Sequence, residues 1–173
     1  MAYRNKTYVA FDSADIRSYR LMTAWKANEH IDFNFYDAHE LNTARDTSQP
    51  ETIKRKLRER LKNAKQVVLL VGDNTRKVAG NASSFLYYEI EVILELQLPA
   101  VFVNLNQSRK IERDRLPTKL AGKYYTVTTS FQPQIIKYAL DEYVDEFGEN
   151  LKSKTPKEGP YQYKDFVYKN LGL

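Results

Sequence analysis

One carboxylate in this chain stands where a carboxylate is costly. The run Ser83-Ser84-Phe85-Leu86-Tyr87-Tyr88-Glu89-Ile90-Glu91-Val92-Ile93-Leu94-Glu95-Leu96 has the periodicity of a helix. With Phe85 at zero and about 100° per residue, Tyr88, Val92, Ile93 and Leu96 fall within roughly 80° of it. Glu91 and Glu95 fall together on the far side, where water is expected. Glu89 lands near ~40°, between Leu96 and Ile93, inside the apolar stripe. Taking a lone carboxylate out of water costs several kcal/mol or drives its pKa upward, so something must compensate. A lysine or arginine partner, or a polar crevice at the helix start, is one answer. A ligand that uses the carboxylate for catalysis is the other.

Composition narrows the remaining chemistry. The 173 residues contain no cysteine, which excludes thiol catalysis and disulfides, and permits a reducing compartment. With only His30 and His39, a His/Cys metal cluster is impossible; a carboxylate metal site is not excluded, but no metal-binding set is expected. The chain lacks a Gly-rich loop after its first strand, so neither a nucleotide P-loop nor a dinucleotide fingerprint is present. A net charge of +5 mildly favours anionic partners. The basic helix carrying Lys54, Arg55, Lys56, Arg58, Arg60 and Lys62 is a solvated face or a phosphate-backbone patch. Without interleaved aromatics it is no stacking platform, and no specific nucleic-acid partner is expected. No apolar run approaches ~18 residues and no signal-peptide pattern opens the chain, so a soluble, cytoplasmic protein without membrane contact is expected.

The elements that must position Glu89 follow from the pattern. Residues 7–11 form a β-rich run that ends at Asp12-Ser13-Ala14-Asp15, where Ser13 or Asp15 can cap a helix over about 16–28. Free backbone N–H groups at such a strand-to-helix turn make an anion seat. A second strand is read over 32–37, and a helix opens at Ser48-Gln49-Pro50-Glu51 with capping-box spacing. The unbroken apolar run Val67-Val68-Leu69-Leu70-Val71 suits a central strand covered on both faces. A polar loop then leads to the Glu89 helix, followed by strands over 99–105 and 123–128 and a last helix capped at Ser130 and stopped at Gly148. Strand and helix alternate nearly five times. The expected architecture is therefore a flavodoxin-like α/β three-layer sandwich, with a five-stranded parallel sheet in the order 2-1-3-4-5. Residues 1–148 form the domain, and 149–173 a tail packed on it or trailing from it, through Tyr161, Tyr163, Phe166 and Tyr168 if packed. Ligands in this architecture bind beyond the strands' carboxyl ends, near the switch between strands 1 and 3. The loops there are 12–15 and 73–82, and Glu89 leans back toward them from its helix.

These stretches resemble a known family. Val71-Gly72-Asp73-Asn74-Thr75, the motif from Ser83 to Glu91, and Leu98-Pro99-Ala100-Val101-Phe102-Val103 resemble the bacterial TIR-like domains of Thoeris anti-phage systems. Ser83 matches the family's serine, Phe85 takes the place of its tryptophan, Tyr88 takes a second aromatic position, and Val9-Ala10-Phe11-Asp12-Ser13 resembles its first strand. The resemblance covers about residues 5 to 145. It implies a TIR fold that cleaves NAD, as substrate rather than cofactor, at the nicotinamide–ribose bond. The ADP-ribosyl product would be a signal, cyclised in the Thoeris members, that reaches a separate effector protein by diffusion. On this resemblance Glu89 is the catalytic carboxylate, and Phe85 stacks on a flat ring of the substrate. Phe11, Asp12 and Ser13 flank phosphate or ribose, and Asn74 and Thr75 supply hydrogen bonds. Structural roles stand beside these: Phe11 and Phe85 as core, Ser13 as a cap, Asn74 as a turn residue. Asp37 and His39 lie in the second loop, which in TIR proteins often meets a neighbouring subunit. They contribute to a composite site in a homo-oligomer, or His39 is a surface histidine. The principal alternative function is a non-catalytic TIR-type interaction adaptor. A receiver-type phosphoacceptor built on Asp12, Asp15 and Asp73 shares the strand order but leaves Glu89 without a role.

Overall fold

The computed structural model describes residues 5–33, 36–37 and 49–173. The chain runs β1 (Lys6–Ala10), a 3-10 turn (Ser13–Asp15), α1 (Ile16–Ala27), β2 (Tyr36–Asp37), α2 (Pro50–Asn63), β3 (Gln66–Val71), α3 (Thr75–Ala79) and α4 (Phe85–Leu96). It continues through β4 (Ala100–Asn104), β5 (Thr126–Ser130), α5 (Pro133–Lys152), β6 (Pro160–Gln162) and α6 (Asp165–Asn170).

All neighbouring strands pair in parallel, in the order β2-β1-β3-β4-β5-β6. The first five strands take the expected 2-1-3-4-5 order. Every residue of β3 is buried, as a run of valines and leucines with no polar alternation requires of a central strand. Side chains alternate across the sheet. Val9, Val68, Leu70, Val101, Val103 and Val127 face α1 and α5, while Tyr8, Ala10, Val67, Leu69, Val71 and Phe102 face the layer of α2, α3 and α4. The result is the expected three-layer sandwich. Among the described residues, no helix is long and apolar enough to cross a membrane.

Several element boundaries differ from expectation. Among the described residues the second strand comprises Tyr36–Asp37, and the fifth is displaced to Thr126–Ser130. Ser130 therefore ends a strand, with its hydroxyl donating to Gln132 Oε1 at 2.7 Å, and Gln132 opens α5. Gly148 does not stop α5, which continues to Lys152. A mid-helix glycine costs only about 1 kcal/mol, less than a twenty-residue amphipathic helix gains by packing.

Beyond α5 the chain adds a sixth strand to the sheet edge. Thr126, Val127 and Thr128 pair with Pro160, Tyr161 and Gln162. The turn into β6 is made by Gly159 at φ +76°, a conformation that suits glycine. Tyr168 on α6 is fully buried, whereas Tyr161 and Phe166 face outward.

Candidate functional site

The third loop and α4 are built from local polar chemistry. Asn81 Oδ1 accepts the Ser83 N–H at 3.0 Å and the Ser83 hydroxyl at 2.8 Å. Ser84 is the N-cap: its Oγ accepts the Tyr87 N–H at 3.0 Å and donates to the Val78 carbonyl at 2.6 Å. These bonds satisfy one of the helix's open donors and fix the angle at which α4 leaves the loop.

Leu86, Glu89, Ile90, Val92 and Ile93 are the buried residues of α4. The buried stripe is therefore centred near Ile93, rotated by about 80° from the Phe85-centred stripe that periodicity suggested. Glu89 lies well inside it, 5% exposed, with its Oε2 sealed from solvent. Phe85 and Tyr88 are half-buried at the stripe's edge, packed against the α2–α4 core, with the Lys54 ammonium 5.6 Å from the Tyr88 ring. The two glutamates expected in water are exposed, and each also holds a surface cation. Glu91 meets Lys119, and Glu95 takes a two-pronged contact from Arg58, whose Nη1 donates at 2.9 Å.

At the carboxyl ends of β1 and β3, three acids come close enough to interact. Asp12 is buried, and its carbonyl accepts the Asp15 N–H at 2.8 Å. Asp15 does not cap α1; its carboxylate lies against Gly72, where a Cβ would stand 2.3 Å from an oxygen. Burial first, then the charges of Asp12 and Asp73, raise the Asp15 pKa above its ordinary 3.8, and Arg115 opposes them. Arg115 bridges Asp73 at 3.1 Å and Glu112 at 3.3 Å. Arg115, 26 residues beyond Glu89, gave no periodic or motif signal. Asp12, Asp15 and Asp73 are the acids on which the receiver-type reading rests, from their places after strands 1 and 3. Among the described residues, however, no group of three His, Cys, Asp or Glu side chains is arranged to hold a metal ion.

The other residues singled out from sequence divide. Ser13 is exposed in the 3-10 turn of the β1 loop. Phe11 is buried on the α1/α5 side of the sheet, its ring stacked on Tyr19 with centroids 5.0 Å apart. Phe85 belongs to the opposite side. Asn74 is exposed at the start of α3 and makes no side-chain cap. Thr75 turns fully inward, and its Oγ1 accepts the Gly72 N–H at 2.8 Å, which closes the turn after β3. The Asp37 backbone pairs with Thr7 in β2. The Asp37 side chain and His39 lie outside the described residues.

The crystal structure of a conserved protein from Enterococcus faecalis V583 is similar over 98% of each chain, at 14% identity and a TM-score of 0.43. No curated protein matches the chain closely. Residues 8–110, which hold both site loops and all of α4, match the family model described as Thoeris protein ThsB, TIR-like domain. With most of its length inside that match, this chain belongs to the Thoeris ThsB family of TIR-like proteins.

Proposed function

We propose that this chain cleaves NAD at the nicotinamide–ribose bond and that Glu89 is its catalytic carboxylate. The observation that carries the proposal is the burial of Glu89 within the apolar stripe of a helix that follows the β3 loop. An acid held in so water-poor a setting is useful beside a developing cation. Membership in a Thoeris TIR-like family supports the same reading.

The chemistry asks little else of the protein. The C1′–N bond breaks with its electron pair going to the pyridinium nitrogen, so nicotinamide leaves neutral and needs no general acid. Positive charge develops at C1′, as in glycoside hydrolysis. A carboxylate held in a water-poor site stabilises that charge and orients the ribose hydroxyls. Attack by water releases one proton and gives ADP-ribose; attack by a hydroxyl of the same molecule gives a cyclic isomer. Asp12 and Ser13 flank the substrate from the β1 loop and Asn74 from the β3 loop. Phe85 offers its ring at the stripe's edge. Phe11 and Thr75 shape the walls from behind, because one is stacked in the core and the other closes the turn. Asp37 and His39 complete the site from the second loop in a homo-oligomer. The product is the signal of the defence system, and a separate effector protein is its receiver.

Purified protein incubated with NAD is expected to release nicotinamide, and Glu89→Gln to lower that release at least about a hundredfold while melting as a folded protein. Equal turnover by the variant removes Glu89 from the chemistry. Absence of turnover by the wild type, even when concentrated, favours the adaptor.

A further inference from the structure

A second concave site lies on the carboxyl edge of the sheet, away from α4. It is a depression of about 610 Å³ between the loop after β4 and the segment after β6, lined by Gln107, Ser108, Arg109, Lys110, Gln162, Tyr163, Lys164 and Asp165. We propose that this depression binds the phosphate or diphosphate group of a small molecule, with Arg109, Lys110 and Lys164 as its ligands.

The walls are fixed by contacts that a passive surface loop would not need. Asn104, fully buried at the end of β4, donates its Nδ2 to the Ser108 carbonyl at 3.0 Å and to the Lys110 carbonyl at 2.9 Å. Gln107 sits at φ +66°, a strained region for a residue with a side chain, and its Nε2 donates to the Phe131 carbonyl at 3.1 Å. The Ile111 N–H donates to Gln162 Oε1 at 2.8 Å, tying the loop to β6. Strain of this kind persists only where the surroundings over-determine it.

The charge is unbalanced. Arg109, Lys110 and Lys164 face one carboxylate, Asp165, and none of the three cations makes an ion pair among the described residues. Arg115, Lys119 and Lys137, by contrast, each hold an acid. Arg109 is also pre-oriented. Its guanidinium lies 4.3 Å from the centroid of the Tyr168 ring, a buried platform whose hydroxyl accepts the Ser130 N–H at 3.1 Å. A guanidinium stacked by its face keeps its N–H edge for oxyanions, with little side-chain freedom left to lose. Ligands of α/β sheets of this kind bind beyond the carboxyl ends of the strands, where this depression opens. The volume lies within the ordinary range for small-molecule sites. The inference does not rest on NAD cleavage.

The test is calorimetric titration of the whole chain with inorganic pyrophosphate at low salt. Wild type is expected to show one saturable site that weakens as salt rises. Arg109→Ala and, separately, Lys164→Glu are expected to weaken it at least about tenfold, the loss of one charge-assisted contact. Lys164 is exposed, so its reversal leaves folding intact if Arg109→Ala does not. Lys77→Gln, on α3, is the control for general charge. Three results each overturn the proposal: no saturable binding, equal weakening by Lys77→Gln, or unchanged binding in Lys164→Glu. A fourth is binding of a single-stranded oligonucleotide through these residues when pyrophosphate does not bind.

Discussion

A methyl group on Gly72 would stand 2.3 Å from the Asp15 carboxylate, closer than real atoms approach. This is a packing demand rather than a backbone one, and it joins the β1 and β3 loops at the carboxyl ends of those strands. Gly72→Ala is expected to displace Asp15 and to cost about 1–3 kcal/mol, read as a lower melting temperature. Asp15 adds a pH dependence. Its folded pKa is raised, chiefly by burial, so the fold favours the protonated acid. That contribution is fully present below the ordinary value and is lost as pH rises through the folded value. Asp15→Asn should therefore melt higher than wild type near pH ~7, with the difference shrinking toward pH ~3. A difference that grows toward acid would refute the sign. The anomaly at Glu89 was legible because helical periodicity places an acid among apolar neighbours. The Gly72–Asp15 contact was not, because nothing local relates a glycine after one strand to an acid after another.

At the scale of elements, α4 shows what a pattern fixes and what it leaves open. Its length, its start and the inward place of Glu89 follow from periodicity and the serine pair. Its rotation does not, because packing against α2 and β3 decides which part of a wide apolar arc is buried. The serine pair itself divides by role. Ser84 makes both the cap and the link to Val78, so Ser84→Ala should cost about 1–2 kcal/mol. Ser83 bonds only to the exposed Asn81 side chain, so Ser83→Ala should stay within about 0.5 kcal/mol. Chemical denaturation of the two variants with an unchanged slope measures this. If Ser83→Ala instead lowers nicotinamide release without lowering stability, its hydroxyl belongs to the substrate site.

The whole molecule depends on tyrosine in a way that composition alone did not indicate. Strand order was legible from the alternation of apolar runs with helical stripes. The sixth strand was not, because three residues at a sheet edge carry no periodic signal. What closes the strand ends is a set of buried phenols. The Tyr143 hydroxyl accepts the Ala100 N–H at 3.1 Å and donates to the Tyr125 carbonyl at 2.7 Å, joining α5 to the starts of β4 and β5. Tyr168 serves the other end of β5 through the Ser130 N–H, while its ring carries Arg109. Removing either oxygen leaves a buried backbone group without a partner, at about 1–3 kcal/mol for each group. Tyr143→Phe strands both a donor and an acceptor, whereas Tyr168→Phe strands one donor and keeps the ring beneath Arg109. Thermal unfolding should therefore rank Tyr143→Phe below Tyr168→Phe, and both below wild type. Pyrophosphate affinity should survive Tyr168→Phe, because a cation bound to a ring face needs the ring and not its hydroxyl. A Tyr168→Phe protein as stable as wild type would show that the Ser130 amide finds another acceptor, and that α6 holds the sheet edge by apolar packing alone.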